Sequence, residues 1–213
     1  KIIYYYLKEF PEEMFHSLPT FEKFIESNNE IVVSCVGNFA VGRTALLKTY
    51  ATGIKCINTR PTNSIGLMNR NYKTKIGKIS LSIYDLVNIL VLPQTADSYL
   101  QKSASVIFFT DVNTKDEYLK FPEIFNIAKK YPFAKIFIAT TKSDLGWNNK
   151  KEDLESFARE NNMTLCLTSW DDIDSIESMF QKIADGIAER LLNNEPIQGD
   201  FPQESEKSKC FIY

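Results

Sequence analysis

Apolar side chains along this chain change their period several times, and each change marks an element. Glu30 to Cys35 (EIVVSC) is a short β-branched run that leads into Gly37, as expected of a buried strand stopped by a glycine turn. Ala45 to Tyr50 then reads as helix. From Ile79 to Asp85 (ISLSIYD) apolar and polar positions alternate, and Gly77 supplies a hairpin turn after Leu67 to Thr74, so these two segments are expected to pair antiparallel. Ser105 to Thr110 (SVIFFT) and Ala134 to Ala139 (AKIFIA) are almost unbroken apolar runs, which suits strands covered on both faces. Helical periodicity from Glu117 to Lys130 and from Lys150 to Asn161 separates the strands, and Thr164 to Thr168 is a last short one. Ile173, Ile176, Met179, Phe180, Ile183, Ile187 and Leu191 recur at three- and four-residue spacing along a closing helix that ends near Leu192.

Strands that alternate with helices require right-handed crossovers, which put helices on both faces of a mainly parallel sheet. The expectation is a three-layer α/β fold on a six-stranded sheet, with any ligand at the carboxyl ends of the strands. Residues 30–192 carry this pattern. Residues 1–29 precede the first core strand and form an N-terminal extension, while residues 193–213, with Pro196, Pro202 and many charges, read as a flexible tail.

Composition narrows the function classes. A chain of 213 residues has room for one core and its appendages, since a single core takes roughly 100–200 residues. Its 25 basic residues nearly balance 27 acidic ones, and no contiguous basic block marks a nucleic-acid footprint. Cys35, Cys56, Cys166 and Cys210 lie far apart and His16 is the single histidine, which argues against structural zinc and a disulfide framework and fits a reducing, cytoplasmic compartment. No apolar run reaches the roughly 18 residues of a membrane span. Lys1 rather than Met stands first, which leaves room for a longer parent chain.

The candidate chemistry begins after the first strand. Gly37-Asn38-Phe39-Ala40-Val41-Gly42-Arg43-Thr44 matches G-x-x-x-x-G-K-[ST] at every fixed place except the lysine. Glycines let backbone amides curl around a phosphate, the following helix adds its positive N-terminus, and a hydroxyl reaches Mg2+. Arg43 keeps the charge, but its planar fork is a poor substitute for a compact ammonium between phosphates, so weakened binding is expected. A plain glycine turn entering a helix is the other reading of the same residues.

With the stretch GNFAVGRTALLKTY in view, the chain resembles a divergent small GTPase of the Ras superfamily, and further motifs of that family follow in order. The resemblance implies a P-loop NTPase G domain that binds GTP or GDP with Mg2+. Gly37, Val41, Gly42, Arg43, Thr44 and Ala45 would hold the phosphates. Thr44, Thr62 and Asp85 would serve the metal, with Ser64 as a substitute for Thr62. Asp85-Leu86-Val87-Asn88-Ile89 stands where the family has D-x-x-G-Q, so Asn88 would offer only its backbone N–H and Ile89 cannot orient a water. Phe39 puts a ring where the family keeps a small residue. Thr141-Lys142-Ser143-Asp144 resembles the [NT]-K-x-D element, in which Asp144 would accept from guanine and the Lys142 stem would cover the ring. Taken alone, such a Lys-x-Asp is as readily a helix cap or a solvated loop. Ser169 and the backbone of Trp170 stand in the place of the family's Ser-Ala-Lys loop, where the indole must find somewhere else to lie. AVGRT and TKSD look Rho-like, the short span from Asp144 to Ser169 does not, and Asp111-Val112-Asn113 reads as Rab or Ras.

The two ends carry separate resemblances. Ile3 to Ile25, around Leu7-Lys8-Glu9-Phe10-Pro11-Glu12, resembles a helix of RhoGAP domains, or is an amphipathic lead-in to the G domain. Cys210-Phe211-Ile212-Tyr213 has the C-a-a-X form of a prenylation site, or is an accidental cysteine in an apolar tail. The leading expectation is a guanine-nucleotide-binding protein of signalling or trafficking, at best a slow GTPase, with effectors or regulators on its switch surface and a cytoplasmic membrane face reached through Cys210. The alternative is a nucleotide-free pseudo-GTPase interaction module, attached in one version to a RhoGAP-like region.

Overall fold

The computed structural model describes residues 30–56, 64–86, 93–115, 120–148 and 151–197. In chain order these form β1 (Ile31–Gly37), α1 (Arg43–Thr52), β2 (Gly66–Thr74), β3 (Gly77–Asp85), α2 (Pro93–Gln101), β4 (Ser103–Asp111), α3 (Phe121–Lys130), β5 (Lys135–Thr141), α4 (Lys151–Glu160), β6 (Thr164–Cys166) and α5 (Ile173–Leu192). Gly42 at φ 88° and Gly53 at φ 70° bracket α1, both in the left-handed region that costs glycine nothing.

The strands make a six-stranded sheet in the order β2-β3-β1-β4-β5-β6. Only β2 runs antiparallel, hairpinned to β3 through Lys75 and Ile76, with Gly77 at φ 106° closing the turn. β1 pairs in parallel with β3 on one side and β4 on the other. Chain order therefore reverses beside β1, and the crevice beyond its carboxyl end is where α/β sheets of this kind bind ligands.

The near-continuous apolar runs are explained by two covered faces. In β4, Ile107 and Phe109 join the cluster beneath α1 and α5, while Val106 and Phe108 join the cluster beneath α2, α3 and α4. Helix α5 buries Ile176, Met179, Phe180, Ile183 and Ile187, each at or near zero exposure and each worth about 1.5–3 kcal/mol of transfer free energy. The ring of Tyr50 in α1 stacks on Phe180 with centroids 5.4 Å apart, which fixes the two helices against each other.

Three expectations needed adjustment. Helix α2 was not anticipated, because its sequence is largely polar; among its described side chains Ala96 and Leu100 are buried in the core and Tyr99 packs against it. The last strand stops at Cys166 instead of Thr168: there the strand ladder gives way to side-chain bonds, with Thr168 N–H donating to Thr140 Oγ1 at 3.0 Å. The start of the tail is packed on the domain, since Ile197 is buried and Glu195 N–H donates to Arg190 C=O at 2.8 Å. The segment 1–29 with its RhoGAP-like stretch, and Cys210 with its C-a-a-X ending, lie outside the described residues.

Candidate functional site

The loop after β1 has the backbone of an anion cradle. A Cβ on Gly37 would stand 2.9 Å from the Phe109 carbonyl oxygen, so β1 and β4 approach closely only because this residue is glycine. Ala40 at φ 62° and Gly42 at φ 88° are both left-handed, which curls the loop into the first turn of α1. No side chain caps α1, and no acidic residue lies in its first turn to neutralise the positive end of the helix dipole.

The base motif braces this loop from β5. Buried Thr141 donates its hydroxyl to the Val41 carbonyl at 2.5 Å. Lys142, itself left-handed at φ 58°, crosses the loop and donates to the Ala40 carbonyl at 2.9 Å and to Asp111 Oδ2 at 2.6 Å. Burial pushes the Asp111 carboxyl up, but hydrogen bonds from Lys142, Thr114 and the Asn113 amide, with the charge of Lys142, hold it below the ordinary value. Asp111 thus anchors the lysine that spans phosphate loop and base motif.

At the phosphate end the basic residue is already engaged. Arg43 is 6 % exposed, and its Nε pairs with Asp85 Oδ1 while its guanidinium also donates to the Gly37 carbonyl at 3.4 Å. Thr44 donates to the other oxygen of Asp85 at 2.6 Å. At the base end, Asp144 lies exposed in a short 3-10 turn, Ser143–Leu145. It accepts from Ser169 Oγ and from the indole Nε1 of Trp170, each at 3.3 Å. Lys55 pairs with Asp171 and sits 5.2 Å from the centre of the Trp170 ring. Asp172 caps α5 by accepting from Ser175 N–H at 3.1 Å, which seats the whole Ser169–Asp172 turn on the helix end.

A model of the Ras family matches residues 31–189, from the first strand nearly to the end of α5. The chain belongs to the Ras family. It is 21 % identical over 193 residues to a protein of Acanthamoeba polyphaga mimivirus described as a probable Rab-related GTPase, covering 85 % of this chain and 87 % of that one. It is 22 % identical over 176 residues to the human Ras-related protein Rab-30, covering 78 % and 87 %, and matches the bovine Rab-30 equally.

For a Ras-family chain the expected site residues largely converge. Gly37, Val41, Gly42, Thr44, Ala45, Thr141, Lys142, Asp144, Ser169 and Trp170 all sit at or beyond the carboxyl ends of β1, β5 and β6. Thr62 and Asn88 lie outside the described residues, as does Ile89. Arg43 departs from its expected role, because its buried guanidinium faces Asp85 as a salt-bridge partner. The left-handed loop, the uncapped helix and the exposed Asp144 fit a nucleotide. The metal donors Thr44 and Asp85 do meet, yet each Asp85 oxygen already accepts a hydrogen bond, so Mg2+ would share Asp85 with Arg43 or displace it. Sequence reasoning missed Asp111 and Lys55 as site residues. Asp111 was legible in principle, since an Asp followed by Asn113 and Thr114 is an Asx-turn signal, and its carboxylate accepts from both.

Proposed function

We propose that this Ras-family small GTPase binds a guanine nucleotide in the crevice beyond β1, β4 and β5 and hydrolyses it slowly or not at all. The carrying observation is the brace of Thr141 and Lys142 on the Gly37–Thr44 loop, which joins phosphate loop and base motif into one frame. That frame has little use unless one ligand spans it. Asp144 and Ser169 would recognise the guanine edge, and the first turn of α1 the phosphates. Mg2+ would be held by Thr44 and Asp85 together with Thr62. Slow hydrolysis follows from Ile89 in place of the water-orienting glutamine, and from Phe39, whose ring is 70 % exposed at the loop's tip.

On this reading the protein is a switch of signalling or trafficking that meets effectors or regulators at its switch surface. A prenyl group on Cys210 would bring it to a cytoplasmic membrane face, reversibly, since one chain anchors only marginally. Denaturing freshly purified protein and separating the released bases tests the nucleotide reading directly. Stoichiometric GDP or GTP, with turnover near or below about 10⁻⁴ per second, is the expected result. Ordinary multiple-turnover hydrolysis would remove the second half of the proposal.

One observation favours a second reading. Arg43 and Asp85 satisfy each other inside the protein, as they would in a pseudo-GTPase that keeps the fold for its surfaces. An empty pocket and no binding at high micromolar GDP would select it.

A further inference from the structure

Trp170 occupies a position that neither the phosphate loop nor the base motif accounts for. Its indole N–H donates to one oxygen of Asp144 and Ser169 donates to the other, so both oxygens of the carboxylate assigned to the base already accept from the chain itself. The ring is also held by its neighbours: the ammonium of Lys55 lies 5.2 Å from its centroid and pairs with Asp171, the next residue along. Lys55 follows Gly53, the C-cap of α1, so the base loop is tied to the chain leaving that helix. Trp170 is only partly buried, and its contacts to Asp144 and Lys55 are solvent-facing ones that thermal motion opens readily.

As a donor, an indole N–H resembles the ring N–H of guanine: planar, aromatic, with one hydrogen directed in the ring plane toward a carboxylate oxygen. We infer that Trp170 is a gate that sets the affinity and base specificity of this site, its indole competing with guanine for Asp144. The inference rests on the nucleotide reading above and deepens it. The competitor is tethered, so it is always present at high effective concentration. Apparent affinity is the intrinsic affinity multiplied by the fraction of molecules in which the indole has left Asp144, so it falls as that fraction shrinks. A base that makes no use of Asp144, such as adenine, has nothing to displace. The gate therefore weakens guanine ligands selectively, and removing it restores only those.

Calorimetric titration of the full chain and of Trp170→Ala and Trp170→Phe with GDP and with ADP tests this. Trp170→Ala is expected to bind GDP about tenfold more tightly than the unaltered protein, the equilibrium worth of one modest hydrogen bond with an exposed cation–π contact. Trp170→Phe keeps a ring for Lys55 but loses the donor, and should recover about threefold. ADP binding should be the same in all three. The ¹⁵N–¹H resonance of the Trp170 indole supplies a ligand-free readout: it should shift in Asp144→Asn while the Trp147 resonance stays in place. Should Trp170→Ala fail to fold, Trp170→Phe and the resonance decide. Equal GDP affinity in protein and variants would overturn the gate and leave the nucleotide reading standing. A gain shared by ADP would overturn it too, as general loosening of the loop. Absence of GDP binding in all three proteins would overturn the nucleotide reading and the gate with it.

Discussion

The two ends of the site hold their carboxylates in opposite ways. Asp85, at the phosphate end, is 7 % exposed and paired with an arginine buried to the same degree. Asp144, at the base end, is exposed and accepts from Ser169 and Trp170 at 3.3 Å, the long end of a hydrogen bond. Removing one partner of a buried ion pair leaves an uncompensated charge in low dielectric, which costs several kcal/mol. Opening a solvated contact costs little, because water takes the vacated place. The phosphate end is thus expected to act as architecture and the base end as a surface able to rearrange, although the sequence motifs give both the same standing.

The sharpest way to break that contrast is at Arg43. Arg43→Ala should destabilise the domain by about 3–5 kcal/mol, read as a lower urea midpoint, because Asp85 would be left buried without a counter-ion, with the Thr44 hydroxyl still donating to it. The double variant Arg43→Met with Asp85→Leu should recover most of that loss, since an apolar pair of similar volume needs no desolvation. A loss below about 1 kcal/mol in the single variant would mean that water reaches Asp85, and that the two ends are alike after all.

A smaller effect is expected at the brace between them. Thr141→Val removes the buried hydroxyl that donates to the Val41 carbonyl at 2.5 Å, leaving that acceptor unsatisfied at a cost of about 1–3 kcal/mol. Thr141→Ser restores the donor and should regain most of the stability. If serine and valine behaved alike, side-chain shape rather than the hydrogen bond would be holding the loop.

Acid tests the next contact down. The Asp111 carboxyl is held below its ordinary value in the folded protein, so it stabilises the fold fully above the unfolded carboxylate pKa, near 3.9, and the contribution is lost as pH falls through the lower folded value. Denaturant midpoints measured from pH 6 down to pH 2 should fall through that window. Lys142→Met should flatten the dependence by about 1 kcal/mol, a figure reduced because the lysine is one-third exposed. An unchanged slope would reassign the acid sensitivity to other carboxylates.

Most of the fold was legible because its signals are local and repeated. The closing helix Ile173–Leu192 announces itself by apolar spacing, and the β2–β3 hairpin by alternation and Gly77. Helix α2 was not legible, because its few apolar positions sit in a short, largely polar stretch and its existence depends on the core it lands on. In the site, Gly37 and Gly42 were readable since only glycine satisfies those backbones. The fate of Arg43 was not. A basic residue in a phosphate motif looks the same in sequence whether its charge points at a ligand or at Asp85, forty-two positions away. Trp170 illustrates the same limit: the sequence indicated that its indole needed a place, and only the folded neighbours Asp144 and Lys55 indicate which.

The smallest expected effect lies at the base end and completes the contrast. Lys55 and Asp171 form an ion pair with side chains 57 % and 39 % exposed. Pairs of that kind contribute about 0–1 kcal/mol and are screened by salt. Lys55→Ala should therefore leave the urea midpoint within about 0.5 kcal/mol of the unaltered protein, and 1 M salt should erase even that difference. The same substitution removes the cation over the Trp170 ring, so it should still broaden or shift the indole resonance. A stability loss approaching that of Arg43→Ala would show the base loop to be as fixed as the phosphate end. A silent stability with a mobile indole would instead separate, within one site, the residues that hold the fold from those that regulate access to it.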